Sequence, residues 1–201
     1  MAINEPTTTR PAAAEVGYVD WSAILGGVAL AGAITLVLGQ FGAATGLASA
    51  EPFRGEDVAS WQVLVAGLWA ILAAVASASA GAYVAGRMRA RVYDAKPEEV
   101  EFRDGVHGLI VWAAATVVLA LILGVLAAMS VDIDSLDMTA PELSDVGMRI
   151  AGNVSTIFAF ATAAGAALAA GAAYFAAKTG GEHRDDGISV DVMTPKLLRR
   201  R

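Results

Sequence analysis

Residues 105–131 read GVHGLIVWAAATVVLALILGVLAAMSV, twenty-seven consecutive positions without a lysine, arginine, aspartate or glutamate. About 20 apolar residues cross the hydrocarbon core of a bilayer as a helix, so a stretch of this length spans it with some tilt. Three further charge-free stretches accompany it, at 21–50, 58–86 and 150–177, each of 28 to 30 residues. A helix of a soluble bundle needs a charged face recurring near every 3.6 residues, and none of the four has one. The expected fold is therefore an all-α integral membrane protein with four transmembrane helices. The prolines agree: Pro6, Pro11, Pro52, Pro97, Pro141 and Pro195 fall in connections or tails and never inside a span. Proline removes a backbone donor and clashes with the preceding turn, so it marks helix ends.

Composition points the same way. Of 201 residues 56% are hydrophobic and only 17% charged, which excludes disorder of the whole chain. There is no cysteine, which excludes a disulfide scaffold, a thiolate metal site and cysteine nucleophile chemistry. A net charge of −6 argues against nucleic acid as a partner. The 44 alanines and 21 glycines make about a third of the chain very small side chains.

Lysine and arginine set the expected orientation. With a cytoplasmic N-terminus, twelve cations lie inside, against Arg54 and Arg149 outside. The acids divide as twelve inside and eight outside, so the outer loops carry the whole −6. Both termini are expected in the cytoplasm. Residues 1–18 read as a flexible tail, 19–178 as the membrane domain and 179–201 as a polar, basic tail. Ala48-Ser49-Ala50 has the form of a cleavage site, but the apolar core before it far exceeds a 7–15-residue signal h-region. No basic segment abuts that core, so the first span is read as retained.

The two halves echo each other. Asp20-Trp21 opens the first span and Asp104-Gly105 the third, each placing an acid at a helix N-terminus. The second and fourth spans both close with Ala-Gly, a tyrosine and a cation: Gly81, Tyr83 and Arg87, then Gly171, Tyr174 and Lys178. A two-helix unit used twice gives a parallel repeat about an axis along the membrane normal. Chance likeness between two alanine-rich ends is the alternative.

In lipid the hydrophobic effect does not drive helices together, and small residues act by letting backbones approach. Gly32, Thr35, Gly39, Gly42 and Gly46 recur at spacings of three and four in the first span; Gly67, Ala74, Ser77 and Gly81 do so in the second, with Ala70 dividing the interval from 67 to 74. Gly165 and Gly171 interrupt the alanine run of the fourth. These eleven are the candidate helix-packing residues. The alternatives for each stripe are packing within one bundle, an oligomer interface, or a pore lining. Helices two and four offer small residues around most of their circumference, more than one shared interior uses. The third span, leucine- and valine-rich from Val117 to Leu126, is the candidate for facing lipid.

Chemistry is sparse. No ionisable group lies deep in a span, where a transporter or pump holds its coupling ion. Gln40 is expected to hydrogen-bond across helices, with pore lining as the alternative. His107 and Asp104 share a face at the cytoplasmic end of the third span, with Arg87 and Asp20 expected nearby. This polar cluster of Asp20, Arg87, Asp104 and His107 is read as interfacial stabilisation, with pH sensing as the alternative. His183 reads as solvated. Asp132, Asp134, Asp137, Glu142 and Asp145 lack the spacing of an EF-hand and read as a solvated acidic loop. Catalytic and nucleotide-binding motifs are absent, so no catalytic residue, cofactor or metal is expected.

The segments VDWSAILGG at 19–27, GAYVAGR at 81–87 and RDGVHGLIVWA at 103–113 resemble a group of small four-helix bacterial inner-membrane proteins, some labelled PhnA-like. The likeness covers roughly the first 115 residues. It implies a bacterial inner-membrane location, this topology and a cytoplasmic-side signature of Arg87, Asp104, Gly105 and His107, without an activity. The expected function is a structural or accessory membrane protein that self-associates or joins a larger inner-membrane complex, with a small-solute channel between protomers as the alternative. Besides the bilayer, the C-terminal Lys196-Leu197-Leu198-Arg199-Arg200-Arg201 is expected to touch anionic lipid.

Overall fold

The computed structural model describes residues 18–45, 61–91, 95–130 and 145–188, which form four helices and no strand. They are α1 (Trp21–Ala44), α2 (Trp61–Met88), α3 (Pro97–Ser130) and α4 (Asp145–Asp185). Three are long and apolar enough to cross a membrane, over Trp21–Ala44, Leu64–Met88 and Pro97–Leu126. We read the chain as a multi-pass membrane protein on that basis.

Caps and the helix dipole, and not only the limits of charge, set the ends of α1, α3 and α4. Asp20 caps α1, its carboxylate accepting from the Ala23 N–H at 3.2 Å. α3 starts eight residues before the charge-free stretch, at Pro97, whose missing N–H costs nothing in a first turn. Glu98 and Glu99 follow there, where the helix dipole favours acids. α4 extends beyond 150–177 at both ends, so the stretch after 178, expected as a tail, begins as helix. Its end is set by Gly187, whose φ of 65° only glycine adopts cheaply. Gly187 N–H then donates to Arg184 O and Ile188 N–H to His183 O, which closes the helix.

α1 and α3 run parallel to each other and antiparallel to α2 and α4. The backbones of α1 and α2 meet at Gly27 and Gly81: a Cβ at Gly27 would lie 2.6 Å from the Gly81 carbonyl oxygen. Further along, Gly42 lies beneath Trp69, whose Nε1–H donates to the Leu38 carbonyl at 3.1 Å. The α2–α4 pair forms the centre of the bundle. Ala78, Ala82 and Gly86 on α2 face Ala169, Ala173 and Ala177 on α4. Each pair is separated by 91 residues, the same interval that relates Tyr83 to Tyr174 and Arg87 to Lys178. The two small-residue stripes thus pack on one another. The two halves differ in their other contacts, since α3 touches α2 whereas α1 does not reach α4 among the described residues.

The close crossings lie toward the end of the bundle that holds Asp20 and Asp104. At the other end α3 parts from its neighbours, and every residue from Thr116 to Leu126 is exposed. That is the span expected to face lipid, and its exposure runs all the way round.

The described packing residues divide sharply. Gly42, Gly81 and Gly165 lie against neighbours, and Ser77 is buried with its hydroxyl donating to Ala73 O. Gly32, Gly39, Gly67 and Gly171 meet nothing within 4 Å, and Ala74 is exposed. Thr35 turns inward on its own helix, donating to Ala31 O. Gly46 lies outside the described residues. Close approaches also fall on glycines outside the expected packing set: Gly27, Gly86, Gly105, Gly108, Gly180 and Gly181.

Candidate functional site: a buried ionic clasp

The starts of α1 and α3 and the ends of α2 and α4 converge on one buried polar group. Asp104 is 2% exposed, yet it carries a carboxylate, and removing such a charge from water is tolerated only where it is paired. Two guanidiniums pair it. Arg89 Nε lies 2.5 Å from Asp104 Oδ1. Arg184 donates from Nη2 to Oδ2 at 3.1 Å and from Nη1 to Oδ1 at 3.3 Å.

Arg184 also reaches the end of α2, where the last carbonyls of a helix lack intrahelical partners. Its Nη1 donates to Gly86 O at 2.8 Å and to Arg89 O at 3.3 Å. A cation at a helix C-terminus is favoured by the dipole as well. Asp185 accepts from Arg184 at 2.8 and 2.9 Å and lies 3.6 Å from Arg91. The buried Asp104, Arg89 and Arg184 together with the exposed Asp185 make two positive and two negative side chains. Gly181 makes the geometry possible, because a Cβ there would overlap the Asp104 carboxylate.

His107, 1% exposed, ties in α1. The Asp20 backbone N–H donates to His107 Nε2 at 2.9 Å, so Nε2 is the acceptor. His107 Nδ1 therefore carries the hydrogen and donates to Arg103 O at 2.7 Å. Asp20 closes the group on its other side, accepting from Ser22 at 2.6 Å and from the Ala90 N–H at 3.3 Å. The Ser22 hydroxyl, outweighing the opposing effect of burial, holds the Asp20 carboxyl below its ordinary pKa.

Of the four residues expected to cluster, Asp20, Asp104 and His107 do come together. Arg87 does not. Its side chain points to the opposite side, donating from Nη2 to the Ile188 carbonyl. One residue at either α2 position faces a different neighbour, and Arg89, two residues on, takes the place expected for Arg87. Arg184 was missed because it lies 80 residues from Asp104, in a stretch that reads as a polar tail. His183 is not merely solvated: its Nδ1 is 3.0 Å from the Tyr83 hydroxyl. Gln40 is exposed and makes no hydrogen bond with the described residues. The acidic loop at 132–144 lies outside them.

Both oxygens of the Asp104 carboxylate and both ring nitrogens of His107 are hydrogen-bonded within the protein. Beside the clasp is an open depression of about 390 Å³ lined by Glu101, Asp104, Lys178, Glu182, Asp185 and Asp186, among others. Its acids are largely tied already, Glu101 to Lys178 at 2.8 Å and Asp104 and Asp185 to arginines. Among the described residues, no three histidines or carboxylates are placed to hold a metal.

One part of the clasp is acid-sensitive. The Arg184 guanidinium beside Asp185, against the opposing effect of burial, holds its carboxyl below the ordinary pKa. A carboxyl depressed on folding stabilises the fold above about pH 4, and that stability is lost as pH falls through the lowered value. Unfolding measured in detergent from about pH 6 down to about pH 3 is expected to show this loss. Asp185→Asn should flatten that part of the profile, and an unchanged slope would refute the assignment.

Comparison of the chain with protein-family models, with curated proteins and with solved structures gives no match.

Proposed function

We propose that the chain is a non-catalytic structural or accessory membrane protein, which self-associates or joins a larger membrane complex through faces its own bundle leaves open. One observation carries this reading: Gly32, Gly39, Gly67 and Gly171, on three different helices, meet nothing within 4 Å. Glycine inside a helix costs roughly 0.5–1 kcal/mol relative to alanine, so its use is economical where another backbone comes close. Among the described residues no backbone does so at these four positions.

The setting belongs to the same proposal. α4 crosses the membrane with the other three, the clasp end of the bundle is cytoplasmic, and the membrane is a bacterial inner membrane. The excess of lysine and arginine at the clasp end supports this orientation. Solubilisation in mild detergent followed by mass measurement and crosslinking is the test. A homo-oligomer or a defined complex is expected; a lone monomer without a partner overturns the reading.

The exposure of Gln40 beside Gly39 favours one second reading, a small-solute channel formed between protomers. A polar line of that kind lies on the outside of each bundle, so only assembly would enclose it. Flux into proteoliposomes no different from that into empty vesicles excludes it.

A further inference from the structure

Five arginines have described side chains near the clasp end, and four of them have a carboxylate within 4.0 Å. Arg89 has Asp104, Arg91 has Asp185, Arg103 has Glu99, and Arg184 has both Asp104 and Asp185. Arg87 has none. Its Nη2 donates to the Ile188 carbonyl, which fixes the plane of the guanidinium, and its Nη1 is enclosed without a hydrogen-bond partner. The residue as a whole is only half-buried.

Tyr83 lies one turn earlier on α2, and its hydroxyl is 3.0 Å from His183 Nδ1 on α4. The two rings meet edge to face at 5.8 Å. Arg87 also occupies the last turn of the apolar stretch Leu64–Met88. A spanning helix that ends there places this turn at the level of the lipid headgroups, where tyrosine and arginine are favoured. A guanidinium without a carboxylate partner suits a phosphate, to which it makes charge-assisted hydrogen bonds.

We propose that Arg87, supported by Tyr83 and His183, binds the phosphate of an anionic phospholipid at the clasp end of α2 and α4. The site is distinct from the basic C-terminal tail, and it rests on the reading that α2 spans the bilayer. It does not depend on self-association.

The test uses the full chain purified in zwitterionic detergent and offered phosphatidylglycerol, phosphatidylcholine or inorganic phosphate, with bound lipid counted by native mass spectrometry. Phosphatidylglycerol should be retained over phosphatidylcholine, and inorganic phosphate at equal concentration should not displace it. Arg87→Gln is expected to weaken that retention by at least about tenfold, the usual scale for losing a charged hydrogen bond. Arg103→Gln removes the same charge from a paired arginine and should leave retention unchanged. A second variant, Tyr83→Phe with His183→Gln, keeps the charge of Arg87 and should reduce retention several-fold, which covers failure of Arg87→Gln to fold. Equal retention of both lipids, displacement by free phosphate, an unaltered Arg87→Gln, or an equal loss in Arg103→Gln overturns the proposal. None of these outcomes bears on the oligomer measurement, which decides the scaffold reading separately.

Discussion

Asp104→Ala is expected to lower the unfolding free energy by about 3–5 kcal/mol, the usual scale when one member of a buried ion pair is removed. The magnitude follows from what stays behind. Arg89 and Arg184 are 4% and 9% exposed, and without the carboxylate they become two like charges buried side by side. Arg184 would keep its bonds to Gly86 O and Arg89 O, and Arg89 a long one to Val100 O at 3.5 Å, so neither is wholly stranded. Removing the whole triad is a different experiment. Arg89→Met, Asp104→Leu and Arg184→Met together should recover much of the loss, since hydrophobic replacement of a complete buried pair is often neutral or better. Reversible unfolding in mixed micelles measures both. A single-variant loss below about 1 kcal/mol, the range of exposed pairs, would show that the clasp is not the fastening described here.

The second large effect concerns α2 and α4. A Cβ at Gly86 would overlap the Ala177 carbonyl, which is backbone and cannot swing aside. Gly86→Ala must therefore push the two central helices apart, at a cost of about 1–3 kcal/mol typical of overpacking. The separation also lengthens the bonds from Arg184 to the end of α2, so the effect should fall at the upper end of that range. Gly39→Ala and Gly171→Ala are the controls. Nothing stands within 4 Å of either, so the isolated bundle should be unchanged or more stable by up to about 1 kcal/mol. If Gly86→Ala is as harmless as Gly39→Ala, the α2–α4 contact is not as close as the structure has it.

These two sites show what was legible in the sequence. Absence of charge over 105–131 identified helix α3, because spanning a bilayer demands an unbroken apolar run. It did not locate the start of α3 at Pro97 or the end of α4 at Asp185, because a helix continues into water wherever caps and dipole allow. Asp20, Asp104 and His107 were legible as a group, since Asp104 and His107 share a face and an acid precedes both odd charge-free stretches, although Asp104 lies inside α3 and not at its N-terminus. Arg89 and Arg184 were not, because a charge in a connection or tail looks the same whether it meets water or a buried carboxylate. The glycine stripes illustrate the same limit. Spacing by three and four names a face of a helix, but only the crossing geometry says whether that face is covered. It selected Gly27 and Gly81 and left Gly32 and Gly39 open.

The free outer half of α3 has a mechanical consequence. The helix is fastened at Asp104 and His107 and unsupported beyond Thr116, so it behaves as a lever with its pivot at the clasp. Leu126 stands 22 residues beyond Asp104, about 33 Å along the axis, so a tilt of about 5° at the pivot carries that tip about 3 Å sideways. A change too small to break a single bond in the clasp is thereby multiplied into a displacement the size of a side chain at the far surface of the membrane.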